Sequence, residues 1–142
     1  MDPFETKTIG DTEVSVTALG LGGAPLSGIA LNDELYFGVG RNQAIEIIIA
    51  AHKLGIKYFD TAPLYGEGRS EARLGHVLPH IPREDFVIST KVGRVLDPDP
   101  IVINSTSDDD GLGRLVAINT WKRDDIMRSI NDSLHRLNLD YL

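Results

Sequence analysis

From Asn42 to Asp60 the chain reads N-Q-A-I-E-I-I-I-A-A-H-K-L-G-I-K-Y-F-D, and this stretch decides the fold class. Its first part, Asn42–Leu54, is apolar on most sides, opens on a residue suited to capping and stops at Gly55. It predicts a helix packed on something large. The I-K-Y-F-D that follows reads as a short strand.

The same alternation extends in both directions. Upstream, T-K-T-I-G-D-T-E-V-S-V has two short runs around Gly10-Asp11, the pattern of a small hairpin, and A-L-G-L-G-G-A-P-L is a short apolar strand running into glycines. Downstream, Ser70 is placed to cap a helix through about Leu78, closed by Pro79 and Pro82. F-V-I-S-T-K-V is the next strand. Ile126, Ile130, Leu134 and Leu137 then recur at helical spacing, with Asp124/Arg128 and Asp132/Arg136 as i,i+4 pairs. A fourth strand would begin at Leu139-Asp140-Tyr141-Leu142. Repeated βα units after a hairpin imply an α/β fold, a parallel sheet with helices outside, either a (β/α)8 barrel or an open doubly wound sheet. A barrel needs ~250 residues, so this chain of 142 would supply an N-terminal part with open edges. Residues 1–142 read as one portion of a single domain, with 95–120 a polar loop.

Composition narrows the function. At 42% hydrophobic and 25% charged the chain has globular make-up, and a net charge of −7 disfavours a nucleic-acid or anionic-membrane partner. Without cysteine there is neither a disulfide framework nor a zinc-thiolate site. The opening M-D-P-F-E lacks a basic n-region and an apolar h-region, and no apolar run approaches ~18 residues, so a cytoplasmic protein is expected. Asp97, Asp99 and Asp108-Asp109-Asp110, set among Pro98, Pro100, Gly111 and Gly113, read as a solvated loop. They lack the ligand spacing of a calcium loop, and no metal site is expected. Asn104-Ser105-Thr106 and Asn131-Asp132-Ser133 match the glycosylation pattern and, with no secretory signal, read as coincidence.

In both α/β architectures, functional side chains gather at the carboxyl ends of strands. Asp60 ends one strand and could hold a lysine or merely accept loop hydrogen bonds. Lys91, near the end of the next, could be a snorkelling strand-end cation or one that wants a carboxylate. Tyr65 by itself could be a loop anchor. Together they make a chemical group. A free phenol titrates near ~10, too high to trade protons readily at neutral pH, and an ammonium about 4 Å away at an effective dielectric of ~20 favours phenolate by roughly 4 kcal/mol. Lys91 is placed to act so on Tyr65, with Asp60 keeping the lysine charged and aimed, which gives a general acid-base centre without histidine or cysteine.

F-D-T-A-P-L-Y-G is similar to the D-T-A-x-x-Y-G signature of the aldo-keto reductase family, and S-T-K-V-G-R resembles that family's lysine strand. The leading hairpin, L-G-L-G-G and the S-E-x-x-L-G element at Ser70–Gly75 agree with it, over residues 6 to 142. The resemblance implies a (β/α)8 barrel and an NAD(P)-dependent oxidoreductase, using NADP or NAD. Hydride would pass between nicotinamide and the carbonyl of a small aldehyde or aldose, while the Tyr65 phenol serves as general acid or base. It also implies that Asp60 and Lys91 tune the tyrosine, and that Gly22, Gly23 and Asp60 lie near the nicotinamide riboside. G-G-A-P-L, D-T-A-P-L-Y-G and S-T-K-V-G-R look most like the sugar-dehydrogenase branch, which oxidises aldoses at C1 and includes pyridoxal dehydrogenases.

One departure limits the expectation. The family's catalytic histidine follows the fourth barrel strand, and His52, His76, His80 and His135 all fall on predicted helices or helix ends, where surface positions are expected. The later loops that hold the cofactor's phosphates are absent as well, so little or no activity is expected of these 142 residues alone. Two alternatives stand beside this reading. One is a non-catalytic or regulatory subunit of the same type, able to associate through open strand edges. The other is a Rossmann domain, against which Pro25 fills the third glycine's place and a long stretch separates it from the helix.

Overall fold

The computed structural model describes residues 2–28, 38–100 and 110–142. Strands β1 (Thr6–Thr8) and β2 (Ser15–Thr17) form the expected antiparallel hairpin. Strands β3 (Leu21–Gly22), β4 (Tyr58–Asp60) and β5 (Val87–Ser89) lie side by side in that order as a parallel sheet. Helix α1 (Arg41–Lys53) connects β3 to β4 and α2 (Arg69–Val77) connects β4 to β5. A second ribbon, β6 (Arg94–Pro98) with β7 (Leu115–Asn119), precedes α3 (Arg123–Leu137).

Alternation along β4 sorts its side chains between two faces. Phe59 is fully buried toward the helices, where it meets Phe86 edge-on at 6.5 Å with Ile48, Leu74, Val77, Leu78 and Leu137 around it. Truncating such an aromatic costs about 3–5 kcal/mol, so Phe59 fixes which face of β4 meets the helices. Its neighbours Tyr58 and Asp60 therefore turn to the other face, where both are part-exposed.

Register then places the site. Gly22 pairs with Asp60 and Asp60 with Ser89, so the three strands end level. The ladder runs one step further, with Gly23 N donating to Asp60 O at 2.7 Å and Thr61 N to Ser89 O at 2.8 Å. Gly23, Thr61, Thr90 and Lys91 consequently emerge at one rim. The β1–β2 hairpin sits at the opposite end, where Lys57 N donates to Thr17 Oγ1 at 3.1 Å.

Several expectations change. Helix α1 starts on Gly40 as N-cap, so Asn42 lies inside its first turn. Ser70 is inside α2 instead of capping it, because its Oγ is engaged by Gly23 O and Thr61 Oγ1. The span 95–120 is not wholly polar loop: Val95 and Leu96 are buried in β6, which pairs with β7 and packs on α3. Arg128 pairs with Asp97 of β6 and, one turn along α3, with Asp132 rather than with Asp124, and Arg136 pairs with Glu71 of α2 rather than with Asp132, because the ribbon and α2 bring carboxylates against these arginines. Leu139–Leu142 forms no strand; Leu139 packs on the core and Tyr141 lies against Arg83. Asn104-Ser105-Thr106, Asp108 and Asp109 fall outside the described residues.

Among the described residues no helix is long and apolar enough to cross a membrane, and no three His, Cys, Asp or Glu side chains are grouped to hold a metal. The histidines lie on α1, α2, α3 and the turn after α2; His76, His80 and His135 are exposed, whereas His52 is half-buried with its Nδ1 enclosed.

Candidate active site

Asp60 and Lys91 meet at the rim because β4 and β5 end level. Lys91 Nζ donates to Asp60 Oδ2 at 2.8 Å and Oδ1 at 3.1 Å, and to Thr61 O at 2.9 Å. Ser89 Oγ donates to Asp60 Oδ1 at 2.7 Å and is itself 3.0 Å from Tyr58 Oη. The carboxylate is thus held by two neighbours and aims the ammonium. The pair is not deeply buried: side-chain exposure is 47% for Lys91 and 37% for Asp60.

Tyr65 arrives on the turn between β4 and α2. That turn is closed by Tyr65 N to Ala62 O at 3.1 Å, Gly68 N to Pro63 O at 2.8 Å and Ser70 N to Tyr65 O at 3.1 Å. It carries the phenol back over the strand ends, leaving Lys91 Nζ 4.9 Å from the Tyr65 ring centroid. Partial burial of Lys91 pulls its pKa down, but hydrogen bonds to Asp60 and Tyr65 together with their charges outweigh this and raise it above the ordinary lysine value. The ammonium therefore keeps its proton across the neutral range beside the phenol.

Tyr65 and Lys91 line a cavity of about 420 Å³, whose other walls include Pro63, Leu64, Arg94, Asn119 and Trp121. Gly22 and Gly23 lie on the other side of β4 from Lys91. Gly22 is exposed, with open space where a side chain would stand. Gly23 is buried, and a Cβ there would lie 2.4 Å from Ser70 Oγ, so its lack of a side chain is already used by packing against α2.

Three groups around this site were not singled out from the sequence. Glu71, fully buried on α2, accepts from Thr90 Oγ1 and from Arg136 Nε, each at 2.7 Å, which ties the residue next to Lys91 to α3. Arg73 binds Asp110 through Nε and Nη2 and donates Nη1 to Leu26 O at 2.6 Å and Val39 O at 2.9 Å. Trp121 lays its ring against Gly93, whose φ of +98° excludes most side chains and whose Cβ would lie 2.8 Å from the indole. Glu71 stands inside S-E-x-x-L-G, but nothing in that spacing indicates a partner 65 residues away.

Comparison with known proteins follows the same residues. The aldo/keto reductase family model matches residues 18–142. Pyridoxal 4-dehydrogenase from Microbacterium luteolum is 49% identical over 92 residues, covering 65% of this chain and 25% of that protein. L-galactose dehydrogenase from Arabidopsis thaliana is 32% identical over 145 residues, covering all of this chain and 37% of its own length. Among solved structures, the holo form of an aldo-keto reductase from Bacillus halodurans superposes with a TM-score of 0.69 at 27% identity, over 97% of this chain and 38% of that one. The chain thus spans between a quarter and two fifths of these relatives.

Proposed function

Because the chain belongs to the aldo/keto reductase family, as part of its (β/α)8 barrel, we propose that these residues form the acid-base end of an NAD(P)-dependent oxidoreductase acting on a small aldehyde or aldose. The observation that carries the reading is the bidentate Asp60–Lys91 pair with its ammonium set over Tyr65 at the mouth of an open cavity. In reduction the Tyr65 hydroxyl gives its proton to the carbonyl oxygen, and in oxidation the phenolate takes one from the alcohol. Lys91 supplies a fixed positive charge beside that oxygen, Asp60 holds the lysine in place, and Ser89 holds Asp60.

The site fits the reactive end of a nicotinamide nucleotide, since Gly22 leaves open space beside Asp60 while Tyr65 stays accessible. A bound nicotinamide supplies or accepts the hydride. Gly22, Gly23 and Asp60 would hold its ribose side, with NADP or NAD as cofactor. The relatives are several times longer than the segment matched, so residues beyond these 142 are proposed to hold the remaining phosphates, and turnover by these residues alone is proposed to be low.

Two measurements test this. At stoichiometric protein with reduced nicotinamide and a short-chain aldehyde, any cofactor oxidation is expected to depend on Tyr65 and to fall about 10²–10⁴-fold in Tyr65→Phe. A residual rate identical in the variant removes the tyrosine from the reaction. In parallel, the emission of reduced nicotinamide on titration with protein should change with wild type and Tyr65→Phe alike, and no change with either removes the cofactor end of the site.

A further inference from the structure

The wall of the cavity facing Tyr65 and Lys91 comes from the β6–β7 ribbon and the turn after it, and it is well anchored. Thr120 N donates to Gly93 O at 3.0 Å, Ser129 Oγ to Arg94 O at 2.9 Å, and Thr120 Oγ1 to Asp125 Oδ2 at 2.6 Å. Three residues of this wall with polar or aromatic side chains line the cavity: Arg94, Asn119 and Trp121.

Arg94 differs from the other arginines. Arg41, Arg69, Arg73, Arg114, Arg123, Arg128 and Arg136 each have a carboxylate within reach, and Arg83 lies against Phe86 and Tyr141. Among the described residues, the Arg94 guanidinium alone has no ion pair, hydrogen bond or ring contact. In a chain with net charge −7, an arginine left unpaired at a cavity wall has no shortage of carboxylates elsewhere to explain it. The Lys91 charge is offset by Asp60, so Arg94 makes the cavity locally positive. Beside it Trp121, 78% exposed, offers a flat apolar plate, and Asn119 offers an amide that can both donate and accept.

We infer that Arg94, Asn119 and Trp121 form a substrate subsite selecting a polyhydroxylated carbonyl compound that carries a carboxylate or phosphate away from its reacting carbon. The indole takes the C–H face of the sugar, the amide takes hydroxyls, and the guanidinium binds the anion through paired N–H donors. The subsite stands beyond Lys91 from Gly22, so the anion is not competing for the proposed nicotinamide end. This inference rests on the proposed site at Tyr65 for the placement of the reacting carbon.

Trp121 is the sole tryptophan, so its emission reports occupancy of this wall without any need for turnover. The full chain is titrated with galactose, galacturonate and galactose 6-phosphate. Galacturonate, galactose 6-phosphate or both are expected to bind about tenfold more tightly than galactose, the value of one charge-assisted hydrogen bond. Which of the two is favoured identifies the anion. In Arg94→Gln the preference should disappear while galactose binding stays, and raising salt should weaken only the anions. Equal affinity for the three sugars, no response to either anion, or a preference surviving in Arg94→Gln overturns the subsite. A charge preference together with cofactor oxidation that is unchanged in Tyr65→Phe supports the subsite and counts against the acid-base reading alone, whereas Tyr65-dependent oxidation of cofactor without any charge preference does the reverse.

Discussion

Two ion pairs share the end of β5 and are built in opposite ways. One residue, Thr90, gives its hydroxyl to Glu71, which is fully buried and bound to Arg136 at 10% exposure. The next residue, Lys91, turns to Asp60, and both stay more than a third exposed. The buried pair joins α2, α3 and β5 at a place where Gly75 lets the two helices approach closely, a Cβ there lying 2.2 Å from Arg136 O. The exposed pair keeps both side chains more than a third open to solvent, and its Lys91 lines the cavity. Burying a charge pair gains little net stability, but breaking one leaves an uncompensated charge inside. A half-exposed pair contributes about 0–1 kcal/mol, and its charge remains available to a reacting group. The first pair therefore sets the geometry from which the second can act.

The largest effect expected from dividing these roles is on stability. Glu71→Ala strands Arg136 beside the core and frees Thr90, and should lower unfolding free energy by about 3–5 kcal/mol in urea titration. Glu71→Gln keeps an acceptor for Thr90 while losing the charge, and should fall between the two. A loss under about 1 kcal/mol for Glu71→Ala would show that the buried pair is not what joins the helices to β5.

Lys91→Met should behave in the reverse way. Its unfolding free energy should stay within about 1 kcal/mol of wild type, because Asp60 remains hydrated and keeps its hydrogen bond from Ser89. Cofactor oxidation under stoichiometric conditions should nonetheless drop about 10²-fold, the low end for losing a group with the proton-transfer role proposed for Lys91. A variant as destabilised as Glu71→Ala would mean that both pairs are structural.

The positions of Asp60, Tyr65 and Lys91 were legible in the sequence because each ends a strand or lies on the segment just after one, and level strand ends bring such positions together. Glu71 and Arg136 were not, since charged residues on amphipathic helices read as solvated until two helices are known to meet. The same reasoning explains Arg136, which looked like an i,i+4 partner of Asp132 and is drawn instead to Glu71. The ribbon at 94–119 was hidden by Asp97, Pro98, Asp99 and the glycines at 111 and 113, turn-type residues that outweigh ten strand positions split into two halves. Arg94 and Trp121 were obscured with it.

The smallest expected effect separates the pairs by pH. Folding raises the Lys91 pKa, so the folded chain holds that proton more tightly than the unfolded one. Its contribution is full below the ordinary lysine value of ~10.4 and fades only as pH rises through the higher folded value. The stability difference between wild type and Lys91→Met should therefore be flat from about pH 6 to about pH 9 and shrink above ~10.4, by no more than the roughly 1 kcal/mol that a half-exposed pair can supply. Paired urea titrations across that range measure it. A difference that shrinks between about pH 7 and about pH 9 would mean that the ammonium gives up its proton in the working range, and the fixed positive charge assigned to it beside Tyr65 would be lost.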